Sequence, residues 1–595
     1  MEKYFDAVES KDIRELIYRS VENYGDNTAY VVKKIVNKKE EYTNFSYKQT
    51  LEIVNALGTK FFEMGLSGKR VALIGRNRFE WIATHFAALC GDMVSVPLDK
   101  ELQIGELTNC LVRAKVDVVM FDEKYIDAIK EIRANGEFAG AQYFCMGELK
   151  KEEDIAEYKT FWQLVEEGKA LLASGSRDYL DVQIDPYKMA ILLFTSGTTS
   201  MSKAVMLSQN NVASNVYAMQ LVEPLYPTDT NLAFLPFHHV FGSAAFLVMF
   251  ACGIRTAFPD GLRYVAKNLK EYEVSVFVGV PLLIEAIYKN IEIGVEKKGK
   301  TGMVKFAKGL SKFLLFFGID IRRKLFKDII NELGGKMRFM ISGGAPLNKR
   351  VAEGLTALGI EVAQGYGLTE TAPVVAAENY KKKRAGSIGV PMGNVEVAFD
   401  DIDENGIGEL KVKGPNVMLG YYKDEEKTRE AIDENGYFHT GDKGCFDEDG
   451  LLKITGRIKE IFKTSMGKYV SPVLIENKIK ESPFIGEMLV IGEGQKFAAA
   501  LIYPNFEHLK SWCGIKNIPY TNDEDMIKSK DVVMRYRKEI DKYNATLGDY
   551  EQVKKFELIA KEWTIESGEM TASLKPRRSK IMQNYADLVN KIYSE

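Results

Sequence analysis

The sequence predicts an α/β fold: a large N-terminal region of parallel α/β sheets with a small barrel-like β-rich part, then a smaller α+β C-terminal region. Short apolar runs alternate with helix-length amphipathic stretches up to about residue 385, a pattern typical of crossover units in parallel sheets. After that point short strands and Gly or Asp-Gly turns dominate, which favours antiparallel pairing. From about residue 455 strands and charged helices mix again.

The individual predicted elements are as follows. Residues 71–74 form a short β-branched run after a charged turn, and residues 79–89 form an amphipathic helix candidate. Turns at residues 403–406 and 447–450 mark the β-rich region. The later strand candidates are apolar runs, at residues 94–97, 116–121, 189–194, 231–235, 274–278, 337–341, 360–363, 488–491 and 498–503.

Length and composition narrow the class of protein. With 595 residues the chain exceeds the roughly 250–300 residues that one hydrophobic core supports, so two or three packed units are expected. A formal net charge of −3 argues against a nucleic-acid binder. Six scattered cysteines without a C-x-x-C pair predict reduced thiols, and no apolar run approaches the ~20 residues of a membrane-spanning helix. We expect a soluble cytoplasmic protein without a signal peptide.

A loop rich in small hydroxyl residues follows the strand candidate at residues 189–194. Residues 192–207 read LLFTSGTTSMSKAVML, in which small side chains let backbone N–H groups approach an anion and Lys203 adds positive charge. It is not a Walker loop, because the G-x-x-x-x-G-K-[ST] pattern is absent. Taken alone, the segment is also consistent with a Ser/Thr-rich turn between two strands. The predicted anion-binding residues are Thr195, Ser196, Gly197, Thr198, Thr199 and Lys203.

Two glycine-containing segments come directly after strand candidates, where ligands bind in open α/β sheets. Residues 342–347 read SGGAPL, and residues 365–373 read GYGLTETAP. Small side chains let a flat base approach the backbone, and the tyrosine ring can stack on adenine. Thr369 can bond the α-phosphate, and Glu370 is a hard oxygen ligand suited to Mg²⁺. The predicted contacts are Gly343, Gly344, Ala345, Tyr366, Gly367, Thr369 and Glu370.

Four further segments contain residues of catalytic type. Residues 234–242 read FLPFHHVFG, whose paired histidines are either buried core residues or partners of a carboxylate. Residues 437–444 read YFHTGDKG, where Asp442 is either a turn residue or a ligand for two vicinal hydroxyls. Residues 455–472 read TGRIKEIFKTSMGKYVSP. Residues 571–581 read TASLKPRRSKI, which alone would be a solvated basic run.

These seven segments, taken in chain order between about residues 190 and 580, resemble the motifs of the adenylate-forming (AMP-binding) superfamily, in its long-chain fatty acyl-CoA synthetase type. The Y-G-x-T-E motif, here Tyr366 to Glu370, matches without substitution. The phosphate loop departs from the usual T-S-G-T-T-G-x-P-K-G pattern at Ser200, Ser202 and Ala204, where the superfamily has Gly, Pro and Gly.

The resemblance implies a domain division and further roles. It implies an N-terminal adenylation domain over residues 1–458, with the β-rich subdomain at about 385–458, and a mobile C-terminal domain over residues 459–595. The implied residues are His239 with His238 for the substrate carboxylate, Asp442 and Arg457 for ribose or phosphate, Lys575 as catalytic lysine, Lys459 as hinge, Gly467 in the CoA-tunnel loop, and Thr195 beside Glu370 for the metal.

The implied reaction is ATP-dependent, AMP-forming ligation of a fatty acid to coenzyme A through an acyl-adenylate, with Mg²⁺ as cofactor. The residue types suit this chemistry, because a carboxylate that attacks a phosphate needs positive charge around the reacting atoms. Two alternatives stay open at this point. One is an adenylating enzyme that loads a carrier protein, and the other is a catalytically inactive acyl- or nucleotide-binding protein.

An insertion at residues 289–336 resembles the long-chain type rather than acetyl-CoA synthetases or luciferases. Its segment from Met303 to Phe326 is apolar with interspersed Lys and Arg. The pattern predicts either a buried helix pair or peripheral contact with an anionic membrane surface. The expected partners are therefore fatty acid, ATP and CoA, with membrane contact through residues 303–326 as an open alternative.

Overall fold

The computed structural model describes residues 4–136, 138, 140–195, 202–379, 381–384, 386–466, 468–564, 566–571 and 575–594. The two largest sheets have parallel strands at their centres, with antiparallel strands at both edges of one sheet and at one edge of the other, which confirms the predicted α/β class. Their central strands consist almost entirely of buried apolar residues, as parallel sheets covered by helices require.

The first of these sheets has nine strands. In spatial order they are Val390–Pro391, Val374–Ala377, Glu361–Gly367, Phe339–Gly343, Val276–Gly279, Thr230–Leu232, Arg255–Ala257, Thr28–Val36 and Lys39–Ser46. The predicted strand at residues 231–235 ends at Leu232. The Ala233 N–H still donates to the Ala257 carbonyl, but the Phe234 N–H turns back to the Leu232 carbonyl at 2.8 Å, and the chain continues toward the helix Val240–Ala251.

The second sheet has eight strands. In spatial order they are Gly420–Tyr421, Lys203–Ser208, Met189–Thr195, Val94–Leu98, Arg70–Ile74, Val118–Phe121, Gln142–Cys145 and Lys159–Thr160. Lys203–Ser208 runs antiparallel to Met189–Thr195, so the predicted phosphate loop connects two hydrogen-bonded neighbours. The short strand Gly420–Tyr421 pairs with Lys203–Ser208 on its other side, with Tyr421 opposite Val205.

The region after residue 385 contains a separate antiparallel sheet. Its four strands, in spatial order, are Glu396–Asp400, Gly408–Lys413, Phe438–Phe446 and Leu452–Arg457. The predicted antiparallel pairing is confirmed. Over the described residues the sheet is open rather than barrel-like, because four strands are too few to close around a filled interior. Its last two strands place Asp442 directly opposite Arg457.

The C-terminal part of the described chain has a sheet and apolar clusters of its own. The strands Phe462–Lys463 and Tyr469–Val470 form a short ladder, and Ile485–Ile491, Ala498–Pro504 and Val553–Leu558 form a three-stranded sheet. One apolar cluster forms around Ile502 and a second around Leu501, so successive residues of the central strand contribute to different clusters. This part therefore buries most of its apolar surface within itself.

Helices surround these sheets, and none among the described residues is long and apolar enough to cross a membrane. The predicted amphipathic helix at 79–89 is found as Phe79–Cys90. The helices are Ile13–Tyr24, Tyr47–Glu63, Phe79–Cys90, Ile104–Ala114, Ile126–Ala134, Glu152–Glu157, Phe161–Ala173, Asp178–Asp181, Gln209–Gln220, Val240–Ala251, Val265–Glu271, Pro281–Lys297, Thr301–Phe316, Arg322–Leu325, Lys327–Glu332, Lys349–Thr356, Glu425–Ala431, Pro472–Ile479, Phe506–Lys516, Asp523–Lys528, Lys530–Asn544, Arg578–Asn584 and Ala586–Ser594.

The insertion does not form a buried helix pair. In the helix Thr301–Phe316 only Ser311 is buried, so that alternative for residues 303–326 is wrong. The apolar periodicity is present, but most large apolar side chains of this helix are exposed to solvent.

Charged side chains connect the C-terminal part to the large sheets. Lys480 Nζ donates to Glu487 Oε2 at 2.8 Å and lies close to Glu285 of the helix Pro281–Lys297. Glu285 Oε1 accepts the backbone N–H of Asn348 at 3.1 Å, and Asn348 Nδ2 donates to the Lys480 carbonyl at 3.4 Å. Burial raises the pKa of Glu285, and the Lys480 ammonium opposes this rise.

Two buried carboxyl groups, Glu223 and Glu378, lie close to each other beside the nine-stranded sheet. Glu378 Oε2 accepts the backbone N–H of Gln364 at 3.0 Å, and its Oε1 accepts that of Arg384 at 2.7 Å. Glu223 Oε2 has no hydrogen-bond partner among the described residues. Burial raises the pKa of Glu223 to about 8 and that of Glu378 to about 7.

We expect Glu223→Gln to stabilise the protein in alkaline solution. The folded-state pKa lies above the unfolded value, so the stability that protonated Glu223 contributes is complete at low pH and is lost as pH rises through about 8. At pH ~9 the variant should melt roughly 2–4 °C above wild type, with little difference at pH ~5, by differential scanning calorimetry. The exposed Glu22→Gln serves as control. Equal melting curves at both pH values would contradict the assignment.

Candidate active site

Several predicted residues lie at the carboxyl ends of strands in the two large sheets. Thr195 ends Met189–Thr195, Gly343 ends Phe339–Gly343, and Gly367 ends Glu361–Gly367. The carboxyl ends of parallel strands form the edge at which α/β sheets bind ligands. Ser196, Gly197, Thr198 and Thr199 lie outside the described residues, as does Gly467.

Lys203 and Glu370 are connected by a tyrosine that the sequence analysis did not single out. Lys203 Nζ donates to the Tyr421 hydroxyl at 2.9 Å, and that hydroxyl donates to Glu370 Oε1 at 2.9 Å. The ammonium also lies 4.4 Å from the centroid of the Tyr421 ring. Burial lowers the pKa of Lys203, Glu370 opposes this, and the Lys459 charge adds to the lowering. The predicted phosphate lysine, metal ligand and hinge lysine therefore share one region.

Asp442 is the centre of a second group. Its Oδ2 accepts the Tyr366 hydroxyl at 2.5 Å, and its Oδ1 accepts Arg457 Nε at 2.9 Å. Burial raises the pKa of Asp442, while Arg457, Tyr366 and Lys575 act in the opposite direction. Tyr366 and Glu370 belong to the same Y-G-x-T-E motif, so the two groups are only four residues apart along the chain.

Lys575 reaches this second group from the far C-terminal part. A methyl group added at Gly344 would lie 3.9 Å from Lys575 Cε. Part of the Lys575 side chain is exposed to solvent. Desolvation of its ammonium lowers the pKa of Lys575, the charge of Arg457 lowers it further, and the charge of Asp442 raises it. Lys575 N donates to Thr571 Oγ1 at 3.0 Å.

The geometry of His239 assigns its proton to one ring nitrogen. Its Nδ1 accepts the backbone N–H of Phe241 at 3.2 Å, as the cap of the helix Val240–Ala251. Burial lowers the pKa of His239 to about 3, and the nearby Lys575 adds to the effect. The imidazole is therefore neutral, so its proton is on Nε2, which can donate to a substrate oxygen. His238 Nε2 lies 3.4 Å from Asp99 Oδ1.

The SGGAPL segment is packed too closely for larger residues. A methyl group at Gly343 would lie 2.7 Å from the Phe241 ring, so the glycine lets this strand end lie against the histidine segment. Gly344 has φ +86°, which favours glycine. Gly344 and Ala345 are exposed.

The remaining predicted residues lie close to these groups along the chain. Thr369 begins the short 3₁₀ turn Thr369–Thr371, and the Glu370 carbonyl accepts the Met418 N–H at 2.9 Å. Lys459 is exposed in the turn directly after the strand Leu452–Arg457.

A small apolar cavity adjoins the histidine segment. Phe237, two residues before His239, belongs to its lining. Its lining includes Phe234, Leu235, Phe237, Gly242, Phe246 and Val278.

The predicted metal site consists of few ligands. Among the described residues no group of three or more His, Cys, Asp or Glu side chains is arranged to hold a metal. Glu370 offers one carboxylate, and Thr195 a hydroxyl whose Oγ1 lies 3.5 Å from the Lys203 carbonyl. Mg²⁺ usually keeps several waters and binds through one or two carboxylates plus substrate phosphates. The residues present therefore fit a Mg²⁺ that arrives with the nucleotide.

The fold and these groups first define a class: an α/β protein with a nucleotide-type site at the carboxyl ends of its parallel strands. The chain belongs to the AMP-binding enzyme family. The profile of that family matches residues 17–422, and the profile described as AMP-binding enzyme C-terminal domain matches residues 459–595.

Curated relatives are similar along most of the chain. Long-chain-fatty-acid–CoA ligase 1 of Cavia porcellus is 29% identical over 581 residues, which cover 93% of this chain and 83% of the relative. The human protein of the same name is 29% identical over 582 residues, with the same coverage. Fatty acyl-CoA synthetase A of Dictyostelium discoideum is 26% identical and covers 94% of this chain and 87% of its own.

Solved structures share the fold. The anthranilate CoA ligase AuaEII, in complex with anthranoyl-AMP, has a TM-score of 0.73 at 18% identity, with 97% of this chain and 98% of that chain covered. The adenylation domain of a carboxylate reductase from Mycobacterium chelonae has a TM-score of 0.79 at 20% identity, with 98% and 91% covered.

Proposed function

We propose that this enzyme uses ATP to convert a fatty acid, of the long-chain kind, into an acyl-adenylate and then transfers the acyl group to coenzyme A. The observation that carries the proposal is the position of Lys575, which lies beside Gly344 and close to Asp442 and His239. The names of the curated relatives support the fatty acid as substrate and CoA as acceptor.

The first step brings a carboxylate to the α-phosphate of ATP. Two unit negative charges 4 Å apart repel by about 1 kcal/mol in water and by several times more in a less polar site. Lys203 and Lys575 bring positive charge to opposite sides of the Y-G-x-T-E motif. Mg²⁺ held by Glu370 and Thr195 would neutralise phosphate charge when bound. The acid is ionised at neutral pH, so no general base is needed.

The other predicted residues bind the nucleotide and orient the substrate carboxylate. Asp442 and Arg457 bind the ribose hydroxyls, and Tyr366 stacks on adenine over the small residues Gly343 to Ala345. The four hydroxyl and glycine residues of the phosphate loop, Ser196 to Thr199, hold the outer phosphates with Lys203. His239 donates from Nε2 to the carboxylate, which directs the other carboxylate oxygen toward phosphorus.

The second step needs the thiol of CoA at the same place. We propose that residues 459–595 form a mobile domain that turns about Lys459, withdraws Lys575 and brings the loop of Gly467 forward to line the pantetheine channel. The polar contacts of Lys480 with Glu285 and Asn348 support such motion, because polar groups that part regain hydration; one apolar side chain, Leu282, also packs across the boundary.

Pyrophosphate release tests the proposal. The protein is supplied with ATP, Mg²⁺ and a panel of short-, medium- and long-chain acids, with and without CoA, and the products are separated by chromatography. Acyl-CoA formed from a fatty acid is the expected result, and Lys203→Ala is the negative control. Acyl-AMP that accumulates whether or not CoA is present would indicate a carrier-protein acceptor. Absence of turnover with every acid would indicate an inactive binding protein.

A further inference from the structure

The helix Thr301–Phe316 presents its largest apolar side chains to solvent. The exposed fractions are 58% for Met303, 73% for Phe306, 38% for Leu310, 61% for Phe313 and 62% for Phe317. These residues recur at intervals of three and four, so they lie in one row along the helix and its first following residue. We call Met303, Phe306, Leu310, Phe313 and Phe317 the apolar stripe.

The opposite side of the same helix attaches it to the protein. Val304 and Ala307 pack against the main core, and Ser311 is buried. Lys308 Nζ donates to the Tyr288 hydroxyl at 3.3 Å. The helix thus turns its smaller residues inward and its larger ones outward, the reverse of an ordinary surface helix. Burial in the protein core therefore does not account for the apolar stripe.

The exposed apolar surface continues past the helix. Phe316 is 85% exposed, and its ring centroid lies 5.4 Å from that of Phe317, which packs on Phe313 at 5.2 Å. Leu315 and Ile319 are also exposed. Monomeric soluble proteins rarely expose contiguous apolar patches beyond a few hundred Å², and larger patches mark contact with a partner or a membrane.

The charge around the stripe restricts its partner. Residues 297–327 contain ten Lys and Arg residues and one acidic residue, Asp320, in a chain whose net charge is −3. A second copy of this surface would bring like charges together, which disfavours a symmetric dimer. Lys305 and Lys312 are exposed and lie on the same side of the helix, because they are seven residues apart. A large apolar row with lysines along one side suits an anionic lipid interface.

We propose that the helix Thr301–Phe316 lies parallel to an anionic bilayer surface, with the apolar stripe among the acyl chains and Lys305 and Lys312 at the headgroups. Lys308 takes no part, because it faces Tyr288. The inference deepens the proposed function and rests on it for its purpose, since a bilayer is where a long-chain acid concentrates. The docking itself depends only on the geometry and charge of the surface.

Vesicle flotation tests the docking. Full-length protein is mixed with phosphatidylcholine vesicles that contain about a quarter phosphatidylglycerol, or with phosphatidylcholine alone. We expect binding to the anionic vesicles and weaker binding to the neutral ones. The double variant Phe306→Ser, Phe313→Ser should bind at least about tenfold more weakly. The double variant Lys305→Glu, Lys312→Glu should lose about twentyfold or more, since each lysine contributes about fivefold. Ile515→Ser is the matched control, because Ile515 is 75% exposed on another helix.

Several results would overturn the proposal. The first is wild-type protein that fails to float with anionic vesicles. The second is a Phe306/Phe313 variant that floats like wild type. The third is an Ile515→Ser control that loses vesicle binding as strongly as the Phe306/Phe313 variant. Specific capture of a protein through the stripe, without lipid binding, would assign the surface to a protein partner instead. All four positions are exposed, so circular dichroism and melting curves should match wild type.

A second assay separates this proposal from the proposed function. Fatty acid is supplied on albumin, without vesicles, and acyl-CoA is measured. The Phe306/Phe313 variant should then retain wild-type activity and be slower only when the acid is supplied in vesicles. If no protein makes acyl-CoA in either format while wild type still floats, the function fails and the docking stands.

Discussion

Lys575→Ala should lose acyl-adenylate formation by about a thousandfold, while acyl transfer from supplied acyl-AMP to CoA stays within a few-fold of wild type. The reason is that Lys575 lies beside Gly344 and close to Asp442 and His239, where the acid and the α-phosphate would meet. In the proposed second step the lysine has left the site. The two half-reactions are measured separately, by pyrophosphate release and by acyl-CoA formation.

The neighbouring Arg577→Ala is the control for this experiment. Arg577 is exposed and basic, two residues from Lys575, so its removal changes the local charge equally. We expect both half-reactions to be retained in that variant. If Lys575→Ala retains adenylation, or loses both half-reactions together, the role given to Lys575 is wrong.

Glu370→Gln should lower kcat/KM for ATP by about a hundredfold and raise the Mg²⁺ concentration needed for half-maximal rate. The substitution keeps the size of the side chain and its bond from Tyr421 but removes the charge that would hold the metal. The rate of pyrophosphate release, measured over a range of Mg²⁺ concentrations, gives both quantities.

Tyr421→Phe separates the charge of Glu370 from its position. The phenyl ring keeps the contact with the Lys203 ammonium, and only the hydroxyl that bonds Lys203 and Glu370 is lost. One such bond contributes about 1 kcal/mol, so we expect a loss of roughly fivefold to tenfold without a large change in Mg²⁺ requirement. A Glu370→Gln variant with unchanged Mg²⁺ dependence would contradict the metal role.

The sequence was most informative where function depends on neighbours along the chain. The strands before SGGAPL and GYGLTETAP could be predicted, because an apolar β-branched run and a following Gly turn are local features. Tyr366 and Glu370 lie in one motif, so their proximity follows from four residues of separation. The two large parallel sheets followed from the alternation of strands and helices.

Contacts between distant segments could not be predicted in this way. Tyr421 lies 218 residues from Lys203 in the sequence, and it reaches the ammonium only because Gly420–Tyr421 adds to the edge of Lys203–Ser208. Asp99, at the end of a different strand, meets His238 for a similar reason. Strand order across a sheet is set by the packing of the whole domain, which a single sequence does not display.

The helix in the insertion shows a second kind of feature that the sequence could not predict, namely whether an apolar face is buried or exposed. A repeat of apolar residues at three and four positions identifies one face of a helix, but it does not say what covers that face. Phe306 and Phe313 fit a buried helix as well as an exposed one. The small residues Val304 and Ala307, on the other side, decide the orientation, because they permit close approach to the core.

The interface around Lys480 has a consequence for turnover. Apolar surfaces that separate expose hydrocarbon to water, and that penalty would fall on every catalytic cycle. Ammonium and carboxylate groups such as Lys480 and Glu285 instead regain hydration when they part, so their lost attraction is largely offset. If residues 459–595 turn about Lys459 as proposed, this joint would open and re-form with little net change in free energy, and added salt should shift its resting position.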